Sequence, residues 1–398
     1  MDTDDLNEFI RKLNPSEPLE VLPNEEASFR ESAENPIDTE EASQRLKSYL
    51  AEVARRNATD LLLVPGAPPT IRLDGALTPL NLPPLSHNEA ATILLPSLSA
   101  ERRRRFMDNG SVDLSITLPP VGRFRVNLHQ TRQGCAAAIR LLPKVIPGLT
   151  ELGLPESLGE LTRQARGLIL ITGPTGCGKS TTLAALVDLV NRRDRRHIVT
   201  IEDPVEYEHT HRTSVVEQVE VGSDATTFAD ALRSTLRQDP DVIQVGEVRD
   251  LETISIALTA AETGHLVLTT AHTNNAPQTI HRIVDVFPSE QQPQIRQQLA
   301  LALTAIVYQQ LLPKKSGSGR VVACEVLIAT DGVRTHIRNG TLHHLHTEMT
   351  LGKRFGMMTL EDSLARLIRA DLLNESEAKL HSSHPEELAS LLRSSPMG

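Results

Sequence analysis

An eight-residue segment of the chain carries the residue types that a polyphosphate site needs. It begins at Gly173 and reads Gly-Pro-Thr-Gly-Cys-Gly-Lys-Ser, which matches G-x-x-x-x-G-K-[ST] at every position. Glycines let several backbone N–H groups turn towards one anion, because they tolerate positive φ. The Lys179 ammonium can then reach the β and γ phosphates, and the Ser180 hydroxyl can ligate Mg²⁺. We therefore expect a nucleoside triphosphate to contact Gly173, Pro174, Thr175, Gly176, Cys177, Gly178, Lys179, Ser180 and Thr181.

Two acidic clusters follow predicted strands of the same domain. Strand 197–201 leads into Glu202-Asp203-Pro204-Val205-Glu206, and strand 242–245 leads, after Gly246, into Glu247-Val248-Arg249-Asp250. Hydrolysis needs one carboxylate to orient water and another near Mg²⁺, and the carboxyl ends of parallel strands bring such groups together. Solvated acids in turns explain either cluster alone. Their shared position after strands favours a catalytic role for residues of both clusters.

A histidine pair flanks a further predicted strand. His265 and His272 lie on either side of Leu266 to Thr270, seven residues apart. Buried structural histidines are one interpretation. In the other interpretation, one of the two contacts the γ-phosphate or couples its loss to a neighbouring domain.

Arginines also lie nearer the amino terminus. Arg123 and Arg125 alternate with Phe124 and Val126, so a strand would place the two arginines on one face. Arg140 follows further along. A solvated strand face explains this pattern, and so do arginine fingers, which neutralise the charge of a transferring phosphoryl group.

The elements that position these residues follow from hydrophobic patterning. Short apolar strands alternate with helical segments from about residue 158, which is typical of a parallel α/β sheet. Strand 168–172, the phosphate loop and the helical pattern of Thr181 to Val190 occur in the required order. The predicted organisation is an acidic disordered tail at 1–40, a smaller α+β domain at 41–145, a linker at 146–157, an ATPase domain at 158–315 and a mostly helical region at 316–398.

Composition narrows the class of protein. The 398 residues have a net charge of −10, and residues 1–40 hold twelve acidic and three basic residues, so the rest of the chain is almost neutral. A nucleic-acid motor would carry a basic excess, and none is found. The longest apolar stretch, Leu299 to Tyr308, is too short to span a bilayer, and we expect no membrane span. Three scattered cysteines without a C-x-x-C pair favour neither zinc nor disulfides and fit a reducing cytosol.

Taken together, these motifs resemble the secretion-motor ATPases of type II secretion and type IV pili, and most closely the PilT family of pilus retraction ATPases. The resemblance runs from about Leu46 to Leu380. It rests on the phosphate loop, the acidic box at 200–207, the segment 232–250 and the histidine box at 263–276. It implies a homohexamer whose subunits each pair a PAS-like amino-terminal domain with a RecA-like P-loop NTPase domain that binds ATP and Mg²⁺.

The same resemblance implies roles for individual residues. Glu202 would be the catalytic carboxylate, Glu247 the acid near Mg²⁺, and His265 and His272 the coupling histidines. The donors that approach the phosphates from the other domain would be Arg123, Arg125 and Arg140.

The resemblance further implies a cytoplasmic motor for twitching motility, peripheral to the inner membrane at the pilus base. Its partners would be an inner-membrane platform protein and, as an option that the resemblance leaves open, a paralogous motor ATPase. The missing C-x-x-C motifs favour retraction, because assembly ATPases of the family usually carry a tetracysteine zinc insertion. Only Ile337-Arg338-Asn339 survives of the retraction branch's carboxy-terminal helix motif. This departure leaves open an accessory retraction paralogue, beside the alternatives of a pilus assembly or type II secretion ATPase and of a nucleic-acid translocase.

Overall fold

The computed structural model describes residues 39–393 with the exception of Asp74 and Asn88. The predicted acidic tail lies outside these residues, apart from its last two, with which the first helix begins. The contacts divide the chain into two compact units. One contains the described residues up to 113 together with 118–121 and 126–141, and the other contains 114–117, 122–125 and 142–393.

The amino-terminal part of the chain forms one six-stranded sheet with three helices. The strand order is β3-β2-β1-β6-β5-β4, and β1 pairs antiparallel with both β2 and β6. One face of the first helix is buried through Leu46, Tyr49, Leu50 and Val53, as the sequence predicts. The elements are α1 (Thr39–Arg55), β1 (Asp60–Leu63), β2 (Thr70–Leu73), β3 (Ala76–Pro79), α2 (Glu89–Leu94), α3 (Ala100–Asn109), β4 (Ser111–Leu118), β5 (Gly122–Thr131) and β6 (Gly134–Leu141).

The second unit is built on a seven-stranded sheet of order β13-β12-β7-β11-β10-β8-β9. Six strands run parallel, and the last one, β13, pairs antiparallel with β12. This is the predicted RecA-like parallel sheet. Its elements up to the last strand are α4 (Ser157–Leu161), β7 (Gly167–Thr172), α5 (Lys179–Arg193), β8 (His197–Glu202), β9 (Val215–Glu220), α6 (Phe228–Thr235), β10 (Val242–Val245), α7 (Leu251–Glu262), β11 (Leu266–Ala271), α8 (Ala276–Asp285), α9 (Gln292–Ala302), β12 (Leu303–Pro313) and β13 (Arg320–Ile328).

The carboxy-terminal region is helical from residue 331 onwards. It comprises α10 (Asp331–Asn339), α11 (Leu345–Leu351), α12 (Leu360–Arg369), α13 (Glu375–His381) and α14 (Pro385–Arg393). The segment 320–328, which the sequence assigns to this region, is instead a strand of the large sheet. A run such as Val-Val-Ala-Cys-Glu-Val-Leu is apolar on both sides, so periodicity alone does not separate a buried strand from a buried helix.

Side-chain caps fix the starts of several helices in the second unit. The Asp250 carboxylate accepts the N–H of Thr253 at 2.8 Å, and the Thr359 hydroxyl accepts that of Asp362 at 3.2 Å, as predicted for both residues. Such caps satisfy N–H groups that the helix itself leaves without partners. Within the described part of the chain, no helix has the length and apolar character needed to cross a bilayer.

Candidate nucleotide-binding site

The phosphate loop joins the central strand β7 to helix α5. Gly173 has φ +139°, and a Cβ at this position would lie 2.1 Å from the carbonyl oxygen of Gln309. Gly178 has φ +92° and immediately precedes α5. A side chain at Gly173 would clash, and one at Gly178 would strain the backbone. The glycine spacing that the sequence shows is therefore required by the fold, and the loop ends at the positive end of a fifteen-residue helix.

Lys179 is buried beneath this loop. Its Nζ donates to the carbonyl oxygens of Gly173 at 2.9 Å and Pro174 at 3.1 Å, so the side chain is folded back on the loop. Burial lowers the pKa of Lys179, because the ammonium is partly removed from water. A cation held in this way lies ready to pair with an anion that enters the loop.

Gln309 of strand β12 supports the loop from the neighbouring strand. Its side-chain amide donates to the carbonyl oxygen of Cys177 at 2.7 Å and accepts from the Thr182 hydroxyl at 2.9 Å. Both Gln309 and Thr182 are buried. Sequence reasoning missed Gln309, although two consecutive glutamines inside an otherwise apolar strand are a usable signal of a buried polar role.

Glu202 is the last residue of β8 and is almost fully buried. Its Oε1 accepts the Thr200 hydroxyl at 2.7 Å and the Gln218 amide at 3.3 Å. Burial raises the pKa of the Glu202 carboxyl to about 7, and these two donors offset only part of that effect. A carboxyl that changes charge near neutral pH suits a general base.

Glu247 follows strand β10, which lies beside β8. The N–H of Gly246 donates to the carbonyl of Ile201 at 2.7 Å, so the two predicted acidic segments are adjacent at the same edge of the sheet. Glu247 also accepts a hydrogen bond from Arg249. The structure thus brings both predicted carboxylates to the carboxyl ends of neighbouring parallel strands.

His272 connects Glu247 to Lys179. Its Nε2 lies 3.0 Å from Oε1 of Glu247, and its Nδ1 lies 3.4 Å from Nζ of Lys179. Burial and the nearby Lys179 charge lower the pKa of His272, so we assign a neutral ring with its proton on Nε2. His272 then donates to the carboxylate and accepts from the ammonium.

His265 does not join this group. It precedes strand β11, and its Nδ1 lies 3.1 Å from the carbonyl oxygen of Ala260 at the end of α7. Seven residues of extended chain separate it from His272, which corresponds to roughly 23 Å. Of the two histidines left open as the γ-phosphate contact, the structure therefore places His272, and not His265, beside the phosphate loop. A coupling role for His265 stays a prediction. A strand separates the residues that flank it and places them at opposite edges of the sheet.

Arg123 belongs to the second compact unit and is engaged by carboxylates there. Its guanidinium donates to Glu220 at 2.6 Å, to Glu208 at 3.0 Å and to the Ser115 hydroxyl at 2.9 Å. Arg125 lies two residues further along the same strand. Arg140 belongs to the first unit, where it pairs with Asp60 at 2.8 Å. As predicted, Phe124 and Val126 are buried.

Tyr207 ties the acidic box to the start of α5. Its hydroxyl lies 3.0 Å from that of Thr181, and the Glu220 carboxylate accepts the N–H of Val205 in the same box at 3.2 Å. The backbone after Glu202 is thus held to the loop helix on one side and to β9 on the other. The sequence gives no local signal for these contacts, because the partners are far apart along the chain.

The family model described as type II/IV secretion system protein matches residues 38–393. The Pseudomonas aeruginosa type IV pilus retraction ATPase PilT is 43% identical over 86% of this chain and 99% of its own length. The type IV pilus ATPase PilU of the same organism is 38% identical over 87% of this chain and 91% of its own length.

A solved structure agrees with these sequence matches. The crystal structure of the pilus retraction motor PilT with bound ADP superposes with a TM-score of 0.80 at 45% identity. The match covers 86% of this chain and 98% of that one. Nucleotide binding by a protein with this fold is consistent with the loop, lysine and carboxylate geometry described above.

Proposed function

The chain belongs to the type II/IV secretion system protein family, and on that basis we propose that it is an ATPase motor that drives type IV pilus retraction. The observation that supports ATP hydrolysis is the series of contacts from Lys179 through His272 to Glu247. These residues lie beside a phosphate loop that matches the G-x-x-x-x-G-K-[ST] motif at every position. The direction of work is supported by the relative named for pilus retraction, which the chain matches over nearly that relative's whole length.

Each step of ATP hydrolysis is carried out by different residues, and the fold holds these residues at one edge of the large sheet. Lys179 and the loop N–H groups bind the β and γ phosphates. Glu202 in its carboxylate form orients and deprotonates the attacking water. His272 contacts the γ-phosphate and signals its loss through the segment that leads into α8.

The oxygen donors beside the loop suit Mg²⁺. The Ser180 hydroxyl and the Glu247 carboxylate are the hard oxygen ligands that this ion prefers. Bound there, Mg²⁺ would neutralise charge on the phosphates.

The working assembly is a homohexamer that engages an inner-membrane platform protein from the cytoplasmic side of the pilus base. Arg123, Arg125 and Arg140 are the proposed donors to the phosphates in the closed state. Arg123 must then exchange Glu220 and Glu208 for phosphate oxygens during the cycle. The sequence holds only three cysteines and no C-x-x-C pair, which favours retraction over assembly.

A deletion strain tests the direction of work. Cells that lack the protein should carry as many pili as the parent or more, and should lose twitching motility, because extension continues without withdrawal. Restoration by the wild-type gene and failure of the Glu202→Gln form are the controls. Loss of all pili would identify an assembly ATPase instead.

The similarity to PilU favours one second candidate. An accessory motor that supports a main retraction ATPase predicts normal pili and normal motility in the same deletion strain. The count of filaments and the motility assay therefore separate the two roles.

A further inference from the structure

Helix α8 begins at Ala276, four residues after His272. Each backbone N–H group in its first turn has an acceptor, and Pro277 in that turn has no N–H group to satisfy. Gln278 donates to the side chain of Asn275 at 2.9 Å, and Thr279 donates to the carbonyl of Asn275 at 3.1 Å. The remaining N–H belongs to Ala276, which is fully buried, so water cannot satisfy it.

The partner of Ala276 comes from a strand 49 residues further along the chain. Oε1 of Glu325, on β13, accepts the Ala276 N–H at 2.9 Å. Glu325 is itself buried, and burial raises the pKa of its carboxyl to about 7. The charged or phenolic groups that act on it are Glu361 of α12, His346 of α11 and Tyr308 of β12. A buried carboxyl is costly, so its hydrogen bond at the positive end of a helix is an offsetting contact.

The segment between α8 and His272 is tied to the same first turn. The hydroxyl groups of Thr273 and Thr279 lie 2.6 Å apart, and the N–H of Asn274 donates to the Gln278 side chain at 3.3 Å. The backbone from 273 to 276 therefore moves with the start of α8. His272 immediately precedes this held segment.

We propose that Glu325 is a positioning residue for ATP hydrolysis, which fixes His272 against Glu247 by holding the N–H of Ala276. The proposal rests on the proposed role of His272 in hydrolysis. Without an acceptor at this point, the buried N–H is left unpaired and the start of α8 relaxes, which displaces the imidazole ring. Displacements of about 1 Å at a reacting group lower turnover by up to about 100-fold.

Three variants of the full-length protein test the hydrogen bond from both sides. Glu325→Leu removes the acceptor, and Glu325→Gln keeps an acceptor oxygen. Ala276→Pro removes the donor and leaves Glu325 in place; proline is favoured at the first position of a helix, so this variant keeps α8. Each is measured for kcat, for the KM of ATP and for affinity for a fluorescent ADP, alone and in a His272→Ala background.

Glu361→Leu is the matched control. Glu361 is also buried, and it accepts from the Ser382 hydroxyl and the His384 N–H in the connection between α13 and α14. Loss of this carboxylate therefore reports the general cost of removing a buried acid from the same region.

The expected result is a kcat lowered about 10- to 100-fold in Glu325→Leu and Ala276→Pro, with the KM of ATP within about twofold and near-normal kcat in Glu325→Gln. In the His272→Ala background, the first two changes should alter kcat less than about twofold, because the ring that they position is gone. Glu361→Leu should lower kcat by the same factor in both backgrounds.

Equal effects of Glu325→Leu in both backgrounds, or full turnover in Ala276→Pro, would overturn the inference. If Glu325→Leu does not fold, Ala276→Pro and Glu325→Gln still decide it. Wild-type hydrolysis in His272→Ala alone contradicts the proposed role of His272. Slow hydrolysis in His272→Ala combined with full hydrolysis in Glu325→Leu and Ala276→Pro contradicts only the positioning role.

Discussion

Nε2 of His272 lies 3.0 Å from the Glu247 carboxylate, and the far side of the same ring lies beside Lys179. The ring therefore separates a cation from an anion that could otherwise neutralise each other directly. Because the pKa of His272 is lowered, its imidazole ring is neutral near pH 7. In the proposed function, this arrangement would leave the Lys179 ammonium to pair with phosphate and the Glu247 carboxylate to bind a metal ion.

Lys179→Ala should abolish ATP hydrolysis and weaken nucleotide binding, because a methyl group cannot replace the ammonium at the β and γ phosphates. Steady-state phosphate release by the purified protein measures the effect. Lys379→Ala is the control, since Lys379 lies in α13 and pairs with Glu375 on the helix surface. Wild-type turnover in Lys179→Ala would contradict the assignment of this loop as the phosphate-binding loop for ATP.

Hydrolysis should rise with pH between about 6 and 7.5 and then level off. The reason is that burial raises the pKa of Glu202 to about 7. Below that pH, the fraction of Glu202 in the basic carboxylate form falls roughly tenfold for each pH unit. Glu202→Gln should bind ATP normally, with kcat lower by about 100-fold or more and no such rise with pH. A pH profile that falls over this range contradicts the role of Glu202 as base.

Replacing Glu202 by glutamine should also stabilise the fold at high pH. The folded-state pKa of Glu202 is raised, so between pH 4.5 and 7 the native protein holds more protons than the unfolded chain, and stability falls as pH rises. Ionisation of this group costs at most about 3 kcal/mol above pH 7. The difference in unfolding free energy between variant and wild type should therefore grow from pH 5 to pH 8 in denaturant titrations. A difference that is independent of pH would contradict the raised pKa.

Arg123→Ala should lower turnover about 1000-fold if Arg123 reaches the phosphates as proposed. Glu220→Gln should retain turnover, because it keeps an acceptor for Val205 and releases Arg123 from one of its carboxylates. Arg163→Ala, which removes an exposed arginine paired with Glu160, is the control. If Arg123→Ala, Glu220→Gln and their combination all lower turnover equally, the ion pair is structural.

Removing residues 1–38 should leave hydrolysis and assembly size unchanged. The deletion ends just before α1, and the deleted sequence is acidic with little apolar periodicity to contribute to a core. Phosphate release and light scattering measure the two properties. A smaller assembly after the deletion would show that the tail holds subunits together.

The parts of the site that depend on local chemistry were predictable from the sequence. The loop from Gly173 to Ser180 is contiguous, and the positions of Glu202, Glu247 and His272 follow from a parallel sheet, whose strand ends converge at one edge. The sequence left open which of His265 and His272 lies at the phosphate loop, because their spacing does not say which edge of the sheet each one occupies until the strand between them is taken into account.

The supporting contacts were not predictable from local pattern. Gln309 and Thr182 are 127 residues apart, and Glu325 and Ala276 are 49 residues apart. Such pairs form only after β12 pairs with β7 and β13 pairs with β12, which is a long-range outcome of packing. The strand at 320–328, within the region predicted as mostly helical, was not predictable for the same reason, since long-range pairing with β12 makes this apolar run a strand.

The pairing of β12 with β13 limits how this protein can vary in length. Tyr308 lies opposite Glu325, and Gln309 lies opposite Cys324, so the two supporting side chains point to opposite faces of one hairpin. Deletion or insertion of a single residue within either strand turns a supporting side chain to the wrong face. The exposed connection at 314–319 can lengthen without that effect. Among natural or engineered variants, length changes should therefore collect in the connection, and the two strands should change only by substitution.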